Sequence, residues 1–357
     1  MKETKKLVCP SCGAGKRYEI DRLVCDYCGH TQKLALEPLA IRYEDFFNYE
    51  PVAPERNFTC ISCGATFEAK AYFRAGQCPY CQTPLIAPRQ NTKEAAYILP
   101  IKIDHKEAYR LLKKKIGSLW FAPDDFKKFF KKYKELKSYY YPAWVFAFRV
   151  RASYSGQRGI DRIESRVVYT QQGSKRVSRV VTDWYPVRGV VDLGFEDIYA
   201  FAYLPTPMLA RRLLFNLQES LQFDERMLAG QEVYEYDTSS KESLIVAQSS
   251  VEGAIRSAIR TDIGGDRQII SSIDRNFYDI KETLVYLPFY WGSVEYKGAF
   301  YDFFVNAQTG EVIGKRPYSW IKITLAVILG VVFVLLVIFL LQHFGYLDAS
   351  VPNELLY

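Results

Sequence analysis

The sequence predicts an α+β protein in three parts, and three observations carry that prediction. Four C-x-x-C pairs lie within residues 9–81, mixed helical and β-rich patterns fill 95–318, and one uninterrupted apolar stretch lies near the C-terminus. A chain of 357 residues with 49% hydrophobic and 15% aromatic content can bury one or two cores, which excludes a disordered chain. The net charge of +7 is modest, so its distribution matters more than its size.

Each of the eight cysteines belongs to a C-x-x-C pair, leaving no unpaired thiol as a nucleophile. Two residues between cysteines let a tight turn aim both sulfurs at one tetrahedral ion. Cys9, Cys12, Cys25 and Cys28 have twelve residues between their pairs, and Cys60, Cys63, Cys78 and Cys81 have fourteen. This duplicated spacing predicts a zinc ribbon over 1–35 and a second over 59–86, holding two structural Zn²⁺ ions. Gly13, Gly29 and Gly64 follow second cysteines, where a positive φ turns the chain back under the metal. Four thiolates close the coordination sphere and leave no position for a catalytic water. Cys78-Pro-Tyr-Cys81 alone would read as a redox pair, but Cys60 and Cys63 upstream favour metal. Iron suits a four-sulfur site too, although zinc is its commoner occupant.

Residues 36–58 carry three prolines and mixed charge and read as a linker; a second linker over 87–95 leads into an α+β domain over 95–318. Asp104 followed by Glu107 resembles a capping pair opening a helix over 105–117. The next helix is expected from Pro123 to about Lys137. Residues 110–137 hold ten Lys or Arg against three acids, a local +7. Phe126, Phe129, Phe130, Tyr133 and Leu136 recur at helical spacing, opposed by lysines. Two readings stand side by side: the aromatic stripe packs on the core, or Lys127, Lys128, Lys131, Lys132 and Lys134 meet anionic lipid.

Beyond it, Tyr139-Tyr140-Tyr141-Pro142-Ala143-Trp144 opens an alternating run ending at Tyr154-Ser155-Gly156, and 176–191 is β-rich. A related phrase, Leu287-Pro288-Phe289-Tyr290-Trp291 followed by Tyr296-Lys297-Gly298, suggests a weak repeat marking two equivalent hairpins. Helices are expected over 207–222 and 238–262, the second with Leu244, Ala247, Val251, Ala254, Ile255, Ala258 and Ile259 on one face and Gly264 as its C-cap. A last hairpin turns at Asn306–Gly310.

Residues 323–341 hold nineteen residues without charge or proline, about 28 Å of helix, close to the hydrocarbon thickness of a bilayer. A transmembrane helix over 321–342 is expected. No apolar run occupies residues 1–30, which argues against a signal peptide. Lys315, Arg316 and Lys322 precede the span and no Lys or Arg follows it, so the positive-inside tendency places the N-terminal part in the cytoplasm and the tail 343–357 outside the cell membrane.

No catalytic constellation emerges. The three histidines, His30, His105 and His343, are not spaced as base and nucleophile partners. Gly13-Ala14-Gly15-Lys16 lacks the first glycine and final hydroxyl of a phosphate-binding loop. Residues 1–90 carry a formal +2, twelve basic against ten acidic; eight thiolates and two Zn²⁺ bring this to about −2, so nucleic acid is not an expected partner. Of the ribbon aromatics Tyr18, Tyr27, Phe67, Tyr72, Phe73 and Tyr80, more are expected to cover metal than to stack on bases. The composition points to a non-enzymatic, membrane-anchored adaptor, with a membrane-tethered nucleic-acid-binding protein as the alternative. A carboxylate enzyme is the third reading, to be favoured if an acidic cleft held two facing carboxylates.

The cysteine quartets, Leu99-Pro100, Tyr141-Pro142-Ala143-Trp144, Leu228-Ala229-Gly230 with Tyr234, and Val305–Gly310 running into Arg316-Pro317-Tyr318-Ser319 together resemble one family. It comprises bacterial membrane proteins with two N-terminal zinc ribbons and one C-terminal span, often labelled TFIIB-type zinc-ribbon or replication-restart-helicase-like. The chain has no nucleotide-binding loop, so the helicase label implies no mechanism. The resemblance implies a role in envelope stress, recruiting PspA-like or SPFH-like partners to the membrane.

Overall fold

Short hairpins carry the cysteine pairs in the computed structural model, which describes residues 2–130, 136–170, 173–203, 205 and 210–344. β1 (Lys2–Glu3) precedes a first three-stranded antiparallel sheet of β2 (Lys16–Glu19), β3 (Arg22–Cys25) and β4 (Thr31–Lys33). β5 (Glu44–Asp45) follows in the segment between the ribbons. β6 (Asn57–Thr59) and β7 (Thr66–Glu68) form a hairpin, and β1 adds parallel to β6, so the N-terminal strand completes the second ribbon's sheet. β8 (Phe73–Gln77) and β9 (Pro84–Ile86) form the hairpin that carries its second cysteine pair.

The remaining elements are β10 (Tyr97–Ile98), α1 (His105–Gly117), α2 (Asp124–Phe130), β11 (Lys137–Thr170), β12 (Gly173–Phe201), β13 (Leu221–Gln222), β14 (Glu232–Tyr234), α3 (Ser240–Ser250), α4 (Glu252–Ile263), β15 (Arg267–Tyr296), β16 (Ala299–Asn306), β17 (Val312–Gly314) and α5 (Trp320–His343). Among the described residues eleven strands form one mixed, mostly antiparallel sheet, ordered β13-β10-β15-β11-β14-β8-β9. β12 lies beside β11, while β5 and β16 pair with β15 and β17 extends β16. The fold is α+β, as the sequence predicts.

The centre of this sheet explains the apparent repeat. Tyr141 pairs with Leu287, Ala143 with Val285 and Trp144 with Leu284, so the two aromatic-proline phrases are neighbouring central strands, β11 and β15. They are buried on both faces, Tyr140, Trp144 and Phe146 in one core and Tyr141, Ala143 and Val145 in the other, and therefore read as continuous apolar runs. The two hairpins are not equivalent. Gly298 turns between β15 and β16 with φ +77°, whereas Gly156 lies within β11, where a Cβ would stand 2.2 Å from the Ile269 carbonyl oxygen.

Two β-bulges flank this level of β11. β12 is bulged opposite Ala147, with Asp197 at φ +59°, and β15 is bulged one residue on, with Asp279 at φ +49°. Beyond them the three long strands continue as an arm. α4 covers one face of it, burying Ile255, Ile259 and Ile263 against the side of β11 that carries Val150, Ala152 and Tyr154. Arg149, Arg151, Asp192 and Tyr278 form a charged network on the other face.

The helices follow local chemistry where it is strong. Asp104 accepts from the Glu107 backbone N–H and opens α1 as expected. Ser239 and Glu242 form a reciprocal capping box at α3. The helix expected over 238–262 is two helices that meet at Val251, and Ala254 is exposed. Over 207–222 the expected helix is absent from the described residues, which hold 3₁₀ turns at Ala210–Arg212 and Leu217–Glu219 and then β13. α2 is described to Phe130, and Lys137 already belongs to β11.

Residues 36–58 lie against the main sheet. Glu44 pairs with Glu282 of β15, and Tyr49 stacks on Trp144 with ring centroids 5.6 Å apart. α5, of 24 residues, contains an 18-residue stretch of mean hydropathy 3.3, is exposed along nearly all its length and is long and apolar enough to cross a membrane.

Candidate metal centres

Each cysteine pair sits in the same backbone turn. The N–H four residues after the first cysteine donates to that cysteine's carbonyl: Gly13 to Cys9, Gly29 to Cys25, Gly64 to Cys60 and Gln82 to Cys78, all at 2.9 Å. The first cysteine's own N–H returns to the carbonyl five residues on, in Ala14, His30, Ala65 and Thr83. Gly13, Gly29 and Gly64 take φ of 73–76°, and Gln82 takes φ 57° in the fourth turn. Position therefore identifies Gln82 as the counterpart of the three glycines, although its residue type does not.

The turns bring Cys9, Cys12, Cys25 and Cys28 into one cluster and Cys60, Cys63, Cys78 and Cys81 into another, every Sγ within 4.8 Å of its companions. Cys9 and Cys28 sulfurs are 3.6 Å apart, as are those of Cys12 and Cys25. In the second cluster the Cys60–Cys81 and Cys63–Cys78 separations are 3.7 Å and 3.9 Å. A tetrahedron with zinc–sulfur bonds of about 2.3 Å has edges of about 3.8 Å, so both quartets fit the ion. They are too far apart for disulfides, whose sulfurs stand about 2.05 Å apart. In every pair the first cysteine is buried and the second exposed, so an ion held by either quartet would lie at the rim of its ribbon.

Local electrostatics favours a thiolate at Cys9 and at Cys81 and resists one at Cys12. Burial opposes ionising Cys9, but the N–H groups of Ser11 and Cys12 and the neighbouring thiols outweigh it and bring its pKa to about 6. The Thr83 hydroxyl, 3.3 Å from Cys81 Sγ, lowers Cys81 to about 6. The Ala14 N–H favours a thiolate at Cys12, yet burial and the three adjacent sulfurs push it up to about 12. A divalent cation among the sulfurs relieves that crowding, so the donor set fits a metal better than protons.

The aromatics divide by position. Phe58, Phe67 and Phe73 pack with Cys60 and Cys78 beneath the second site, and Tyr18 is buried in the first ribbon. Tyr27 and Tyr80 do not cover metal: each precedes the second cysteine of its pair and stands 84% and 67% exposed. His30 is placed on Ser11, Nδ1 to Oγ 3.2 Å, rather than among the sulfurs.

Both ribbons are fastened to the main body. The Tyr18 N–H donates to the Ala229 carbonyl and Gln231 Nε2 donates to the Tyr18 carbonyl. Between them Gly230 takes φ +79°, where a Cβ would lie 2.6 Å from Arg17 Cβ. The second ribbon enters the main sheet, because Ala75 of β8 pairs with Val233 of β14. Beside that pair, buried Arg74 reaches Glu225 at 2.6 Å and Glu235 at 3.7 Å and also donates to the Ala87 carbonyl. Sequence reasoning missed this network, whose partners lie about 150 residues apart and carry no local signal.

Of the lysines proposed for a lipid surface, Lys127 is half-buried with its amine 3.2 Å from the Gly117 carbonyl, and Lys128 is exposed. Lys131, Lys132 and Lys134 lie outside the described residues, as does 345–357 of the tail. Phe126 is buried against Tyr296 and Tyr301, so this part of the aromatic stripe packs on the core. An open groove of about 840 Å³ gathers Glu37, Glu94, Asp224 and Glu225. Glu94 and Glu225 are ion-paired with Arg74, and Asp224 with Arg226.

Comparison of the chain with protein-family models, with curated proteins and with solved structures finds no match.

Proposed function

We propose that this protein is a non-enzymatic adaptor, anchored by α5 with its ribbons and sheet on the cytoplasmic side, that gathers protein partners at the membrane. The observation that carries the reading is the pair of closed four-sulfur sites hydrogen-bonded to the main body in a chain that also carries a long exposed apolar helix. Such sites fix shape rather than perform chemistry. The exposed Tyr27 and Tyr80 offer the amphipathic rings that protein interfaces favour, and the ribbons lack a phosphate-seeking excess of charge. The family resemblance supports an envelope-stress setting with PspA-like or SPFH-like partners.

The reading is tested by affinity purification from solubilised membranes, comparing wild type with Cys9→Ser plus Cys60→Ser. Stoichiometric protein partners are expected, and they should be lost in the double variant while it stays in the membrane fraction. Recovery of no partner in several mild detergents overturns the adaptor. Salt-sensitive capture of nucleic acid by the full chain would favour the tethered nucleic-acid reading instead.

A further inference from the structure

We propose that the foot of α5 carries an aromatic and basic collar that seats the folded body in the headgroup layer of an anionic membrane. The proposal rests on α5 crossing a bilayer and goes beyond it, because a span alone leaves the body free to hang on a tether.

Three separate stretches of chain meet at this foot. Trp120, between α1 and α2, is 74% exposed; Phe300, at the β15–β16 hairpin, 67%; and Trp320, the first residue of α5, 80%. Tyr318 joins them with Arg316 over its ring at 5.1 Å. Of the five tryptophans, these two are the most exposed: Trp184 is 39% exposed, Trp144 is buried and Trp291 half-buried. Large rings with one polar edge stand out of a folded body at a cost in water, and the membrane interface is where tryptophan and tyrosine collect.

The collar is held by hydrogen bonds and ion pairs to the body. The Ser319 N–H donates to the Phe121 carbonyl at 2.8 Å, and Lys322 Nζ reaches the Ala122 carbonyl at 3.1 Å and Asp124 at 2.6 Å. Lys297, at the hairpin tip, pairs with Asp125 at 3.1 Å. Beneath them, buried Phe126 ties the α1–α2 corner to Tyr296 and Tyr301 in the core. The first turn of α5 is thus bolted to the body.

Charge selects the occupant. Lys322 and Lys297 occupy the two acids of α2, while Lys113, Lys114 and Lys115 at the end of α1 and Lys128 of α2 are exposed, and Arg316 is half-buried over the Tyr318 ring. A surface of exposed aromatics rimmed by cations and continuous with an apolar helix fits anionic headgroups. It also sets the body's attitude. β15 ends at the collar and runs back 30 residues, on the order of 100 Å of strand, to Arg267, so the arm beyond the bulges lies at the end of the strand remote from the collar.

The experiment uses the full chain reconstituted in vesicles of phosphatidylcholine brominated near the headgroup end of its acyl chains, with and without phosphatidylglycerol. Wild type is compared with Trp120→Phe and Trp320→Phe. Trp120 is exposed, so its replacement leaves the fold in place. If the two rings share the interface, Trp120→Phe loses about half of the lipid-quenched emission. Phosphatidylglycerol should deepen Trp120 quenching, and raised salt should reverse that gain. Quenching that survives intact in Trp120→Phe but vanishes in Trp320→Phe overturns the collar while leaving the span standing. No quenching in any of the three removes the span and the collar together. Equal Trp120 quenching in neutral and anionic vesicles overturns the assignment to anionic headgroups.

Discussion

Replacing Cys78 by Ser opens the second four-sulfur site and tests whether that site holds the edge of the main sheet. Cys78 is buried, and its sulfur stands 3.9 Å from that of Cys63, where a serine hydroxyl can supply neither the reach nor the charge of a thiolate. In small ribbons a structural zinc contributes about 10–16 kcal/mol of apparent binding, as much as the stability of a whole domain. Losing most of that is enough to melt β6 to β9. The loss does not stop there, since Gln77 at the end of β8 precedes Cys78 directly and Ala75 in the same strand pairs with Val233. β14 in turn pairs with β11 through Tyr139–Glu232 and Tyr140–Val233. Melting β8 also removes Arg74 from buried Glu235, and breaking a buried pair of this kind costs about 3–5 kcal/mol. Metal analysis of the purified chain should therefore fall from two ions to one. Hydrogen exchange should accelerate across 232–235 while the Phe289–Asn306 ladder of β15 and β16 stays protected. Retention of both ions would show that Cys78 is no ligand. One ion lost with 232–235 unchanged would show that the second ribbon is an independent module, and the coupling argument would be wrong.

Two further outcomes follow from single residues. Gln82 holds the left-handed conformation that glycine holds in the other three turns, at a cost of about 1 kcal/mol, so Gln82→Gly should tighten the second site by up to roughly fivefold against a competing chelator. Faster metal release in that variant would refute the positional equivalence of the four turns. Glu282 is buried beneath the segment joining the ribbons, accepting from the Phe47 N–H at 3.0 Å, and burial raises its pKa above the usual carboxylate range. The folded protein thus keeps this proton to higher pH than the unfolded chain, whose carboxyl titrates near about 4.3. The contribution of Glu282 to stability therefore falls as pH rises through that interval. Glu282→Gln should gain stability relative to wild type between acidic and neutral pH in urea titrations, and parallel curves for the two proteins would contradict this.

The sequence by itself determined what depends on near neighbours. Spacing alone grouped Cys9 to Cys28 and Cys60 to Cys81, because a turn of two intervening residues aims both sulfurs the same way wherever it stands. Asp104 with Glu107 marked the start of α1, the turn at Asn306–Gly310 marked the β16–β17 hairpin, and an unbroken apolar run marked α5. Only the tertiary structure decided what depends on distant partners. The two aromatic-proline phrases proved to be paired central strands, since burial on both faces erases the alternation that would have shown their direction. Residues 36–58 read as a linker by composition, yet Tyr49 lies on Trp144 and Glu44 pairs with Glu282. The length of β11 and the bulges of β12 and β15 beside it, the division of 238–262 at Val251, and the ion pairs of Arg74 arise from contacts between elements distant in the chain, or from packing against them. Burial energy acts between surfaces brought together in space, and a linear pattern records only which surfaces are available.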